Sequence, residues 1–197
     1  RFNGHYSEWM TYSEMQRNPN PIYLDFTDKK KRPQGKWSYV MGIELEGMLD
    51  TWLAYHNDAV KEYVCSYAKQ MIDAEGNTVG YKYEDFNLDN IRTSHFIYRL
   101  NKLFPQQGLD KALQTYYKQL ENQPRTKEGV WWHKNIYHDQ VWLDGIFMGL
   151  PFYVLAAEDM KGKKATKYYD DAFKQISSTF VRTYDEATGL WKHAWNR

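Results

Sequence analysis

A single cysteine, Cys65, stands in this 197-residue chain, which leaves no partner for an internal disulfide and too few thiolates for a cysteine-based metal cluster. Its neighbours Tyr63, Val64, Tyr67 and Ala68 fit an apolar helix face, so the thiol reads as inert core and not as a nucleophile. An excess of either charge is also missing, since 26 Lys and Arg against 25 Asp and Glu leave a formal charge of +1. The one basic run, Lys29-Lys30-Lys31-Arg32, sits beside Asp25 and Asp28 in what reads as a solvated loop; no nucleic-acid partner is expected. No stretch approaches the roughly 18 consecutive apolar residues that cross a bilayer, so no membrane insertion is expected either. There is no Gly-rich phosphate loop and no Gly-x-Ser-x-Gly elbow, which removes nucleotide hydrolysis and serine acyl transfer. Alternating runs of Val, Ile and Thr are scarce, and with them any expectation of a β-sheet core.

What the chain does have is rings. Eight Trp, 17 Tyr and 9 Phe make 17% of it aromatic, while the hydrophobic total is an ordinary 42%. Rings in that proportion must line more than a core. A wet groove that stacks sugars, bases or peptides uses amphipathic Trp and Tyr in this way.

From Trp37 onward the spacing predicts helices over 38–56, 58–73, 88–103, 109–122, 139–158 and 164–183. They come in pairs, each ending in a Gly-containing loop with aromatics, and the loop glycines Gly80, Gly129 and Gly189 are 49 and 60 residues apart. Such a repeat predicts an all-α fold of stacked or circularly arranged helical hairpins. Equivalent loops would then gather Tyr81, Tyr83, Trp131, Trp132, His133, Trp191 and His193 on one face. The closed form is an α/α toroid of about six hairpins and roughly 300 residues. Residues 37–197 supply three hairpins, and 1–36 read as an irregular arm or a partial hairpin. A missing C-terminal half or another chain is therefore expected to complete the barrel and cover its inner helices.

Two acids stand at matching places in the repeat, each just after an aromatic loop and near a helix start. Asp144 is expected on an apolar helix face with Gln140, Val141, Phe147 and Met148 as neighbours and Asp139 as N-cap, a setting that would raise its pKa as a general acid requires. The alternative is an ordinary Asp stabilised by the helix dipole. Asp89, in Asn87-Leu88-Asp89, is its counterpart in the preceding hairpin, and the two could face each other as an acid/base pair. The alternative there is an ion pair with Arg92 at i+3. His133 and His138 are not on one helix face and lack an adjoining carboxylate, so no metal site is predicted. His133 and His193 fall at equivalent loop positions, suited either to bonding a substrate oxygen or to plain solvation. Pro151 is expected to kink its helix, and Gly145 and Gly149 to admit a close neighbour.

At these residues the sequence resembles glycoside hydrolase family 105, the unsaturated rhamnogalacturonyl hydrolases. The matching elements are Trp37-Ser38-Tyr39 with Gly42, Asn87-Leu88-Asp89, Trp132-His133-Lys134, Gln140 to Gly145 with Met148 and Pro151-Phe152, and Thr188 to Trp195. Asn196 stands where the family more often has Asp, and the family's second half, with an Arg-Gly-rich motif and a Trp that helps hold the uronate, is not in this sequence. The resemblance implies an (α/α)6 barrel, with no cofactor and no metal, that removes an unsaturated galacturonyl residue from pectin oligosaccharides. It implies that Asp144 protonates C4 of the C4=C5 double bond and activates water for C5, with Asp89 as second acid. Tyr39, His133, Lys134, Trp142 and His193 would line the sugar subsite. Other readings are an unsaturated glucuronyl hydrolase acting on glycosaminoglycan fragments, a non-catalytic carbohydrate-binding scaffold, and an ordinary inverting glycosidase with carboxyl groups about 6.5–9.5 Å apart.

Overall fold

The computed structural model describes residues 4–24 and 33–196, so the basic run Lys29–Arg32 lies outside the described residues. In chain order the helices are α1 (Tyr6–Arg17), α2 (Tyr39–Tyr55), α3 (Asp58–Met71), α4 (Leu88–Leu103), α5 (Leu109–Asn122), α6 (Leu143–Glu158) and α7 (Lys163–Thr183). Four short strands accompany them: β1 (Gln140–Trp142), β2 (Tyr184–Asp185), β3 (Leu190–Trp191) and β4 (Ala194–Asn196). The fold is all-α. Among the described residues no helix is long and apolar enough to cross a membrane.

The chain divides into two compact units, the first made of residues up to Tyr81 with Phe96–Leu113, the second of Lys82–His95 with Gln114–Arg197. In the first, α1 packs on α2 and α2 on α3. Met41, Leu45 and Leu49 of α2 meet a core that also holds Val60, Val64 and Met71 of α3, all buried. The Asn57 side chain accepts from the Ala59 amide at 2.9 Å and so caps α3. Gly108 sits at φ +88°, where a Cβ would come 1.9 Å from the Asp73 carbonyl, so only glycine fits that approach. Cys65 is a half-buried free thiol whose burial pushes its pKa up, as suits an inert side chain.

The second unit is built on α6 packed along α7, with Leu88, Ile91, Tyr116, Leu120, Trp131, Phe152 and Ala156 buried. Helix α6 contains Pro151 and still runs on to Glu158. Its predicted start moves, however. Residues 140–142 form β1, paired antiparallel with β4 through Val141↔Trp195 and Trp142↔Ala194, and α6 begins only at Leu143. A β-branched residue and a ring in succession suit a ladder, and the partner strand comes from the far end of the chain. Asp139 is therefore not the N-cap; it adopts φ 55°, and Trp142 occupies the cap position in extended conformation.

Candidate active site

Asp89 is the second residue of α4. The Asn87 side chain accepts from the Asp89 amide at 3.0 Å, which caps the helix and fixes the backbone under the carboxylate. That carboxylate is largely buried and held at both oxygens: His133 Nε2 lies 3.2 Å from Oδ1, and Lys134 Nζ lies 2.7 Å from Oδ2. Burial alone would raise the Asp89 pKa, but the hydrogen bonds from His133 and Lys134 and the positive charge of Lys134 outweigh it and hold the group below the usual carboxylate range. Asp89 is thus an ionised acceptor. The Arg92 guanidinium, the partner that i+3 spacing offered, lies over the Phe147 ring at 5.0 Å.

The loop that brings His133 and Lys134 to Asp89 is tied down by buried glutamines. Gln123, the residue just after α5 and 2% exposed, donates from Nε2 to the Phe86 carbonyl at 2.6 Å and to the Trp132 carbonyl at 2.9 Å. Gln119, one turn earlier, donates to the Asn87 carbonyl at 3.4 Å, and Gln175 of α7 accepts from the Trp131 amide at 2.9 Å. The two segments also meet directly, since the Leu88 amide donates to the His133 carbonyl at 3.1 Å. Arg125 adds a bidentate pair to Asp171 at 2.7 and 2.8 Å. These glutamines escape the sequence pattern, which treats polar positions as solvated; their only mark is an i, i+4 pair among apolar α5 neighbours.

Asp144 is the second residue of α6, so it sits in the first helical turn. Its Oδ1 is buried without a hydrogen-bond partner among the described residues, and the nearest cation-forming group is His193 Nε2 at 3.9 Å. The His193 carbonyl accepts from the Leu143 amide at 2.8 Å, which locks the β4 end against the helix start. Trp142 links the parts: its indole stacks on the His133 imidazole with centroids 4.6 Å apart and planes 7° apart, on Tyr137 at 5.2 Å, and meets His193 edge-on at 5.2 Å. Tyr137 was not singled out by the sequence motifs, although it lies in the same aromatic loop.

The second unit therefore brings together Asp89, His133, Lys134, Trp142, Asp144 and His193. Tyr39, the first residue of α2 and partly exposed, belongs to the first unit. His133 is not a solvated loop histidine, being 1% exposed. Trp131, expected on the loop face, is a core residue packed against Tyr153. One atom each from Asp89, His133 and Asp144 lie within 4.8 Å of one another, near enough for a shared cation in principle, but His133 directs Nε2 at Asp89 itself.

The model of Glycosyl Hydrolase Family 88 matches residues 6–197. The chain belongs to that family. Among solved structures, this Family 88 chain is similar to a family 105 glycoside hydrolase from C. acetobutylicum, at 31% identity and a TM-score of 0.85, over 98% of this chain and 50% of that one. A possible family 105 member from Klebsiella pneumoniae shares the fold at 17% identity and a TM-score of 0.71, over 100% of this chain and 53% of the other. The Family 88 chain thus spans about half the length of the solved structures it matches, and its fold class is the α/α toroid, represented by about three hairpins.

Proposed function

We propose that this family member is a glycosidase acting on unsaturated uronides, and that its substrate is a Δ4,5-unsaturated galacturonyl residue at the non-reducing end of a rhamnogalacturonan oligosaccharide. The observation that carries the reading is the unequal pair of carboxylates. Asp89 is held ionised by two donors, whereas Asp144 Oδ1 has no hydrogen-bond partner among the described residues and is the group left to exchange a proton. Asp144 delivers its proton to C4 of the double bond. Water adds its oxygen at C5 and returns a proton to Asp144, so one water is added overall. The resulting hemiketal opens and the glycosidic bond is lost. Asp89 accepts hydrogen bonds from the sugar or from the water, and Lys134 and His193 face the polar oxygens of the uronate. The Trp142 and Tyr137 rings offer the apolar surface beside them.

An inverting glycosidase fits less well, because it needs about 6.5–9.5 Å between its carboxyl groups for an intervening water, while oxygens of Asp89 and Asp144 come within 4.8 Å. We further propose that helices supplied by more chain, or by another chain, complete the toroid, since the matched structures are twice as long. Incubation of the intact protein with an unsaturated galacturonyl–rhamnose disaccharide tests the reading through loss of absorbance from the conjugated double bond. Turnover of that compound is expected. Turnover only of an unsaturated glucuronyl glycosaminoglycan disaccharide would reassign the substrate, and binding without turnover of either would leave a carbohydrate-binding scaffold.

A further inference from the structure

Gly145 follows Asp144 directly and has ordinary helical backbone, so its lack of a side chain needs a reason other than φ. A Cβ there would lie 2.7 Å from His133 Nδ1, closer than real side chains approach, and at a tight 3.3 Å from Leu88 Cδ1. Glycine is a poorer helix former than alanine, and here the missing methyl is the space the imidazole edge occupies. The other constraints on the ring are equally close. Its face stacks on Trp142, its backbone amide donates to the Gln140 carbonyl at 3.0 Å, and its carbonyl accepts from Leu88 beside Asp89. With the proton on Nε2, donated to Asp89 Oδ1 at 3.2 Å, Nδ1 is left buried against Gly145 with no hydrogen-bond partner among the described residues.

We propose that His133 is a positioning residue: a strut running from the Gly145 backbone of α6 to the Asp89 carboxylate of α4, which sets the separation of Asp89 and Asp144. The inference rests on reading those two carboxylates as the working acids, but the strut itself is a matter of contacts. A ring 1% exposed offers a substrate almost no surface, so its effect on the reaction passes through Asp89. Any shift of the ring along its own plane moves the Oδ1 partner and loosens the carboxylate that Lys134 holds at the other oxygen.

The test is made on substrate-free protein carrying 13C-labelled aspartate, so that an inactive enzyme does not obscure it. The Asp89 carboxyl resonance is titrated in the wild type, Gly145→Ala, His133→Ala and the double variant. The expected result is an upward shift of the Asp89 midpoint of about one pH unit in each single variant, with no further shift in the double variant, because both substitutions remove the same contact. An unmoved Asp89 in folded Gly145→Ala, or additive shifts, would overturn the strut. Should Gly145→Ala fail to fold, the double variant decides: with the ring gone the methyl has room, so folding is restored, and failure to restore it overturns the proposal. A normal strut in a protein that turns over neither disaccharide would sink the proposed function alone.

Discussion

Asp89 and Asp144 sit on different helices, α4 and α6, and bring carboxylate oxygens to within 4.8 Å of each other. The two are not equivalent. Asp89 is bonded on both oxygens by His133 and Lys134, while His193, at 3.9 Å, is the one cation-forming group within 4 Å of Asp144 among the described residues. On the proposed reading this difference in partners assigns the proton donor's part to Asp144 and that of a fixed anion to Asp89.

Asp144→Asn is therefore expected to lower turnover of the unsaturated disaccharide by about 10²–10⁴-fold without lowering the melting temperature, since it removes no hydrogen bond from Oδ1. Steady-state assay beside thermal denaturation checks both halves. Full activity in this variant would remove Asp144 from its assigned role.

The state of Asp89 gives a prediction in pH. Its folded pKa lies below the unfolded value of about 3.9, so its contribution to stability is present above that value and lost as the pH falls through the folded pKa. Lys134→Met removes one of the two donors and so raises the folded pKa toward the unfolded one. Urea denaturation from neutral pH into the acid range should show a shallower loss of stability for Lys134→Met than for the wild type. Parallel curves would mean that Lys134 does not hold Asp89 in solution.

Much of this was legible in the chain because it is local. Helix spacing, the aromatic loops and the repeat positions of Asp89 and Asp144 depend on neighbours a few residues away. The misplaced start of α6 has the opposite cause: Val141 and Trp142 continue an apolar helical pattern, and only pairing with Trp195 and Ala194 makes them a strand. In the same way Asp89 finds partners at His133 and Lys134, which no spacing within its own helix announces. Trp131 and Trp132 are adjacent in a loop, yet the first fills the core and the second faces His138 and donates to Asp139 at 3.2 Å. No composition rule separates them.

Gln123 ties the segment before Asp89 to the loop that carries His133 and Lys134, because one amide serves the carbonyls of both Phe86 and Trp132. Gln123→Leu keeps the volume and leaves both carbonyls buried without their donor, at about 1–3 kcal/mol each. The expected loss is about 2–6 kcal/mol in equilibrium urea denaturation. It should be accompanied by reduced turnover, since Asn87 and His133 lie next to the released carbonyls. A loss under about 0.5 kcal/mol would show that water replaces the amide without penalty.

The outer face of α7 poses a different question, because it is apolar and uncovered. Tyr169, Phe173, Ile176 and Phe180 follow one another at helical spacing and are 42%, 74%, 52% and 50% exposed. Beside them a cavity of about 310 Å³, lined by Leu143, Ile146, Ile176, Thr179, Phe180 and Trp191, opens to solvent. Exposed stripes of this kind mark interaction sites, and this chain covers only 50% of the length of the C. acetobutylicum structure it matches. If further helices cover the stripe, the 197-residue chain alone should self-associate in a concentration-dependent way, because nothing else shields those rings from water. Phe173→Glu places a charge at the most exposed point of the stripe and leaves the buried face of α7 untouched. It should yield a monomer by analytical ultracentrifugation, with unchanged helix content by circular dichroism. A wild-type chain that stays monomeric at every accessible concentration would show that the stripe needs no cover, and with it the case for a partner half on this side would fall.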